Sequence, residues 1–173
     1  MPPKIQLARR KARDLLQAAG VDTAPVPVKK IAASLHATIK YEPFQGGLSG
    51  MLHRDGQHTL IGVNALHPKV RQRFTIAHEL GHLLMHRNEK LHVDSRFPVA
   101  LRNEVSSLAI DDREIEANQF AAELLMPEEL LDRDIAALPT ELEVDEAISR
   151  LAKRYIVSVQ AMTLRLTALR ILC

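Results

Sequence analysis

A chain of 173 residues with 46% apolar and 25% charged residues has the size of one domain and an ordinary soluble composition, which excludes two large independent domains and a disordered chain. Aromatic residues make up 3% and Trp is absent, so a core of Ala, Leu, Ile and Val favours packed helices, and the stacking platforms of single-stranded nucleic-acid binders are scarce. The net charge of +2 conceals segregation: residues 1–40 carry eight basic and two acidic groups, residues 89–149 five and sixteen, and residues 150–173 five and none. These charges read as solvated helix faces that complement one another, with a basic surface for DNA or an acidic partner as the sharper alternative.

The first predicted element spans Lys4 to Ala19, where Ile5, Leu7, Ala8, Ala12, Leu15, Leu16 and Ala19 keep helical spacing and Gly20 supplies a stop. This basic, amphipathic N-terminus has no apolar signal-peptide core, and no run approaches the ~18 apolar residues of a membrane span. The single cysteine, Cys173, can form no intramolecular disulfide and no thiolate cage. The expected location is therefore the cytoplasm.

A second, shorter helix is predicted for Lys29 to Leu35, with Pro27 suited to its start. Three short β-rich runs follow, Thr38 to Tyr41, Leu48 to His53 and His58 to Val63, the last two joined by a turn at Asp55-Gly56 and read as a hairpin with the first as its neighbour. The middle run, flanked by Gly46, Gly47 and Gly50, is a candidate sheet edge for binding an extended substrate by strand addition. Asn64 or the residues just after it open a long helix with Pro68 in its first turn and Val70, Phe74, Ala77, Leu80 and Leu84 along it. Residues 87–110 show weak periodicity and read as a loop. Helices are predicted again from Asp111 to Leu125, Glu128 to Ala136, Glu143 to Tyr155 and Ser158 to Leu169, with Ser158 as an N-cap.

The chemical signal lies in the long helix, at His78-Glu79-Leu80-Gly81-His82. Positions four apart on a helix differ by about 40° in direction and about 6 Å in height, so both imidazoles can meet one ion, with Glu79 beside them to take a proton from a bound water. A histidine-rich surface helix would show the same letters, but Gly81 costs about 1 kcal/mol relative to Ala and points to a close approach at this turn. Zinc needs a third protein ligand. Glu114 and Glu116 point about 160° apart on the next helix, so at most one faces the metal. Glu114 is preferred, because it shares a face with Ala117 and Ala121, which permit close packing, and with Asn118, which is placed to orient a ligating histidine. His86 reads as a half-buried neighbour, and His36, His53, His58 and His67 as surface or turn residues. His86, His92 and Tyr155 are candidates for a second oxyanion donor, with packing the stronger reading for Tyr155.

The run RQRFTIAHELGHLLMH followed by EIEANQFAAELLMP resembles the ImmA/IrrE family of zinc metallopeptidases, and the match extends to IGVNALHPKVRQRF upstream and LAKRYIVSVQAMTLRL downstream. The resemblance covers residues 5–170 and implies a gluzincin-like α+β fold, mostly helical, with a small three-stranded sheet beside the active-site helix. Carried over residue by residue, it implies His78, His82 and Glu114 as ligands of one Zn2+ ion, with Mn2+ as a substitute, and Glu79 as general base. It further implies an endopeptidase acting on a helix-turn-helix repressor in stress response or mobile-element regulation. On this reading residues 1–173 form one metallopeptidase domain, with N-terminal helices at 1–36, the catalytic core at 37–137 and a helical, helix-turn-helix-like tail at 138–173. A separate sensor is not expected within these residues.

The competing class is a DNA-binding or protein-interaction regulator with a non-catalytic zinc site. It rests on the tail, with Arg165 and Arg170, and on Arg9, Arg10, Lys11 and Arg13 of the first helix. Val159, Met162, Leu164, Leu166 and Leu169 of the last helix argue for packing instead, and an intact Glu79 is superfluous in a structural zinc site.

Overall fold

The computed structural model describes residues 2–45, 47–56, 58–86, 91–94 and 112–171. Its architecture is α+β, with helices α1 (Ile5–Ala18), α2 (Val28–Ser34), α3 (Lys69–Met85), α4 (Asp112–Leu125), α5 (Glu128–Ala136), α6 (Val144–Tyr155) and α7 (Val159–Ala168). Four strands complete it: β1 (Ala37–Glu42), β2 (Gly50–Arg54), β3 (Thr59–Asn64) and β4 (Leu91–Asp94).

The sheet runs β1-β3-β2-β4. β1 lies parallel to β3, and β2 is antiparallel to both β3 and β4. The β2–β3 hairpin closes as the Asp55-Gly56 turn requires: Gly56 takes a φ of +93° and the Asp55 carboxylate accepts from the His58 amide at 2.8 Å. One face of the sheet, with Leu52, Ile61 and Val63 fully buried, packs on α3, so the strands form the floor beneath the helix that carries the histidines.

The expected three-stranded sheet is thus corrected to four. The additional strand, β4, falls inside the stretch read as a loop; the rest of that stretch lies outside the described residues. Four residues are too short to display an alternating pattern, and β4 exists because β2 offers it a row of backbone donors and acceptors, with Leu52 paired to His92. It follows that β2 is an inner strand, and the expectation of substrate addition along its edge is withdrawn, since β4 occupies that edge.

Asn64 does not open the long helix. Its side-chain amide donates to the carbonyls of Leu48 (2.8 Å) and Phe44 (3.2 Å), and its oxygen accepts from the Leu66 amide (3.0 Å), so it ends β3 as a buried bracket. Pro68 stands at the N-cap, one residue before α3, where its missing N–H costs nothing. At the other end, the last-turn carbonyls of α3 are satisfied from two different elements. Arg54 of β2 donates to His82 O (2.9 Å) and His86 O (3.3 Å), and Lys11 of α1 to Leu84 O (2.6 Å). Both are cations at a helix C-terminus, where the dipole favours them.

The terminal helices are fastened to α4. α1 presents Ala8, Ala12 and Leu16, all buried, one turn apart, and Arg9 donates to Gln119 Oε1 at 2.9 Å. α7 is capped by Ser158, whose hydroxyl accepts from the Ala161 amide at 3.1 Å. From its buried face Arg165 reaches Glu123 Oε2 at 2.6 Å and donates to Met126 O at 3.0 Å. Arg165 is only 3% exposed, so the tail's first candidate DNA contact is interior.

Candidate metal centre

α3 and α4 meet at Gly81. A Cβ there would fall 3.0 Å from Ala117 Cα and 3.1 Å from Ala117 O, a spacing that only the missing side chain of Gly81 allows. This close approach sets the carboxylate of Glu114 across from the histidine row. Glu114 Oε2 lies 3.3 Å from His78 Nε2, and Oε1 lies 3.3 Å from His82 Nε2. The two imidazole Nε2 atoms face each other at 3.0 Å.

His78 and His82 are buried, and Glu114 is about one-fifth exposed. Burial, opposed by the hydrogen bond that His82 donates to Glu114, pushes the His82 imidazolium down to a pKa of about 4, so the ring is neutral near pH 7. Burial works against the Glu114 carboxylate, but its contacts with His78 and His82 outweigh that and hold it well below the usual carboxylate range. Neutral imidazoles and an ionised carboxylate are the forms in which these groups bind metals.

Asn118, one turn along α4 from Glu114, places its Oδ1 3.0 Å from His78 Nδ1. With the amide oxygen as acceptor, this contact suits a His78 tautomer protonated on Nδ1, and Nε2 faces His82 and Glu114. Two imidazole nitrogens and a carboxylate thus converge in one largely buried space. The donor set therefore fits a metal ion.

Glu79 is fully buried on the sheet side of α3. A Cβ on Gly50 of β2 would collide with Thr75 Cγ2 and come within 3.1 Å of Glu79 Oε1, so the bare backbone of Gly50 makes room for this carboxylate. Glu116 is turned away: its Oε1 accepts from the Lys4 backbone amide at 2.7 Å and its Oε2 lies 3.7 Å from His86 Nε2. The choice between the two glutamates is thus a matter of helix face, with Glu116 fixing α1 and His86. Tyr155 is buried in the tail and donates to Asp134 Oδ2 at 2.9 Å. His86 stays one turn beyond His82, with its Nε2 3.3 Å from Arg113 O, while His36, His53 and His58 are exposed.

One residue enters the cluster from an unexpected element. His92 of β4 stacks on His82 with ring centroids 3.6 Å apart and an interplanar angle of 21°, and its Nε2 lies 3.5 Å from Glu114 Oε1. Donor atoms of His78, His82, His92 and Glu114 all lie within 4.8 Å of one another. Spacing gives no clue to this, because His92 reaches the site only through the pairing of β4 with β2.

An α+β fold with paired histidines on one helix and a facing carboxylate on the next is the architecture of the HExxH metallopeptidase class. The chain belongs to the peptidase M78 family, whose model, described as the IrrE N-terminal-like domain, matches residues 32–167. It is 32% identical over 167 residues to the radiation response metalloprotease IrrE of Deinococcus deserti, covering 91% of this chain and 53% of that protein. Among solved structures, a Mycobacterium tuberculosis transcriptional regulator superposes with a TM-score of 0.61 at 15% identity, over 94% of this chain and 46% of the other. The chain spans about half the length of each of these relatives. Among the described residues, no helix is long and apolar enough to cross a membrane.

Proposed function

We propose that the protein is a zinc-dependent endopeptidase of the cytoplasm, with His78, His82 and Glu114 as metal ligands, Glu79 as general base, and a helix-turn-helix repressor as substrate in stress or mobile-element regulation. The observation that carries this reading is the convergence of two histidine Nε2 atoms, 3.0 Å apart, on a carboxylate 3.3 Å from each. Zinc, when bound, supplies a Lewis acid that acidifies a water and polarises the scissile carbonyl. Mn2+ is an alternative occupant of the same donors.

Within this reading the chain's own groups divide the work. Asn118 holds the His78 tautomer through Nδ1, and Gly81 brings Glu114 into reach. Glu79, next to His78 in sequence and fixed against Gly50, accepts the water proton and returns it to the leaving amine. Supporting the substrate class is the family: a metalloprotease relative implies a protein substrate, and the M. tuberculosis neighbour is a transcriptional regulator. The DNA-binding reading loses ground, because Arg165 is buried and Arg9 and Lys11 are engaged by Gln119 and Leu84 O.

Incubation of zinc-loaded protein with a helix-turn-helix repressor is expected to give discrete fragments, to stop with a chelator and to resume with added zinc. A repressor left intact by metal-loaded protein would count against the substrate class.

A further inference from the structure

We infer that His92 is a fourth protein ligand of the metal in the resting protein, so that strand β4 closes the site until substrate or water takes its place. The inference rests on the reading of His78, His82 and Glu114 as ligands. A tetrahedral ion bound at about 2.0–2.1 Å by nitrogen and oxygen has donors separated by about 3.3 Å. Contacts here are 3.0 Å between His78 and His82 Nε2, 3.3 Å from each of them to Glu114, and 3.5 Å from His92 Nε2 to Glu114 Oε1. All four donors lie within 4.8 Å of one another, so a small inward shift of His92 would complete a tetrahedral set.

The local fold explains how His92 gets there. Side chains alternate along a strand. Leu91 and Val93 point outward, 54% and 46% exposed, while His92, paired with the buried Leu52, points at α3. Its ring lies against His82 and its Nε2 reaches Glu114 Oε1, so it borders the same donors. Among the described residues β4 is an edge strand bonded to β2 alone, so withdrawal of His92 would disturb one ladder of that sheet. A closed four-ligand site is the form in which zinc is inert, and a three-ligand site the form in which it is catalytic. This single edge histidine would separate the two.

The test is X-ray absorption at the zinc edge of the full chain, with zinc affinity measured by chelator competition, for wild type and His92→Ala. Three imidazoles per zinc in wild type, two in the variant, and an affinity loss beyond the about 10 to 100-fold typical of an outer partner are expected. The wild-type spectrum decides by itself if the variant does not fold. Two imidazoles in wild type with zinc bound would overturn this inference and leave the peptidase reading standing, including the case in which His92→Ala slows cleavage at unchanged affinity. No zinc bound by wild type would overturn both.

Discussion

The missing side chain of Gly81 and the backbone of Ala117 form a single contact: a methyl group on the glycine would sit 3.0 Å from Ala117 Cα. The two helices that carry His78, His82 and Glu114 are as close as they are because of this pair, so helix packing sets the spacing of these three side chains.

Gly81→Ala is therefore expected to destabilise the protein by about 1 to 3 kcal/mol, the cost of overpacking. That sign runs against helix propensity, which favours alanine over glycine by about 1 kcal/mol. Denaturant unfolding decides it: a variant more stable than wild type would mean that α4 yields freely.

Asn118 acts on the site without touching the space between the donors. Asn118→Ala removes the acceptor that fixes His78 Nδ1 and is expected to weaken zinc binding by about 10 to 100-fold with an unchanged fold. Asn118→Asp keeps an acceptor and should retain affinity. Chelator competition on both variants checks this, and equal affinities across the three proteins would contradict it.

The Arg165–Glu123 pair joins the tail to α4 with both side chains almost fully buried. Arg165→Met leaves a buried carboxylate and is expected to cost about 3 to 5 kcal/mol, with part recovered by adding Glu123→Leu. Unfolding measurements on the single and double variants read this directly. An exposed DNA-contacting arginine would instead leave stability unchanged and lower duplex affinity.

His82 makes the metal-free protein sensitive to acid. Its folded pKa of about 4 lies below the ordinary 6.5, so the folded state takes up its proton later than the unfolded state. The associated stability is present above about pH 6.5 and is lost as pH falls toward 4, by about 3 kcal/mol in total. Denaturation of the apoprotein between pH 7 and 4 should therefore be steeper for wild type than for His82→Gln. Parallel curves would show that burial of this ring has no such cost.

Much of this organisation is legible in the residues. Apolar spacing locates every described helix to within a few residues, and the β2–β3 hairpin follows from its Asp-Gly turn, because these signals are local. The preference for Glu114 over Glu116 rests on two alanines and an asparagine sharing one helix face, and the structure turns those two carboxylates to opposite surroundings. Long-range features left no trace. β4 is too short to show alternation, so His92, a candidate oxyanion donor in a loop, gave no sign that a strand carries it to the histidine pair, and Arg54 and Lys11 gave no sign that they cap α3. The basic N-terminus, a candidate surface by charge alone, is largely spent on internal contacts with α3 and α4.

In the proposed function Glu79 is a catalytic base that does not hold the metal. Zinc content and repressor cleavage, measured together for wild type and Glu79→Gln, test it most directly. Equal zinc in both proteins is predicted, with cleavage by the variant reduced at least about 100-fold. Equal cleavage by the two proteins, or zinc-loaded wild type that cleaves nothing, would contradict the account.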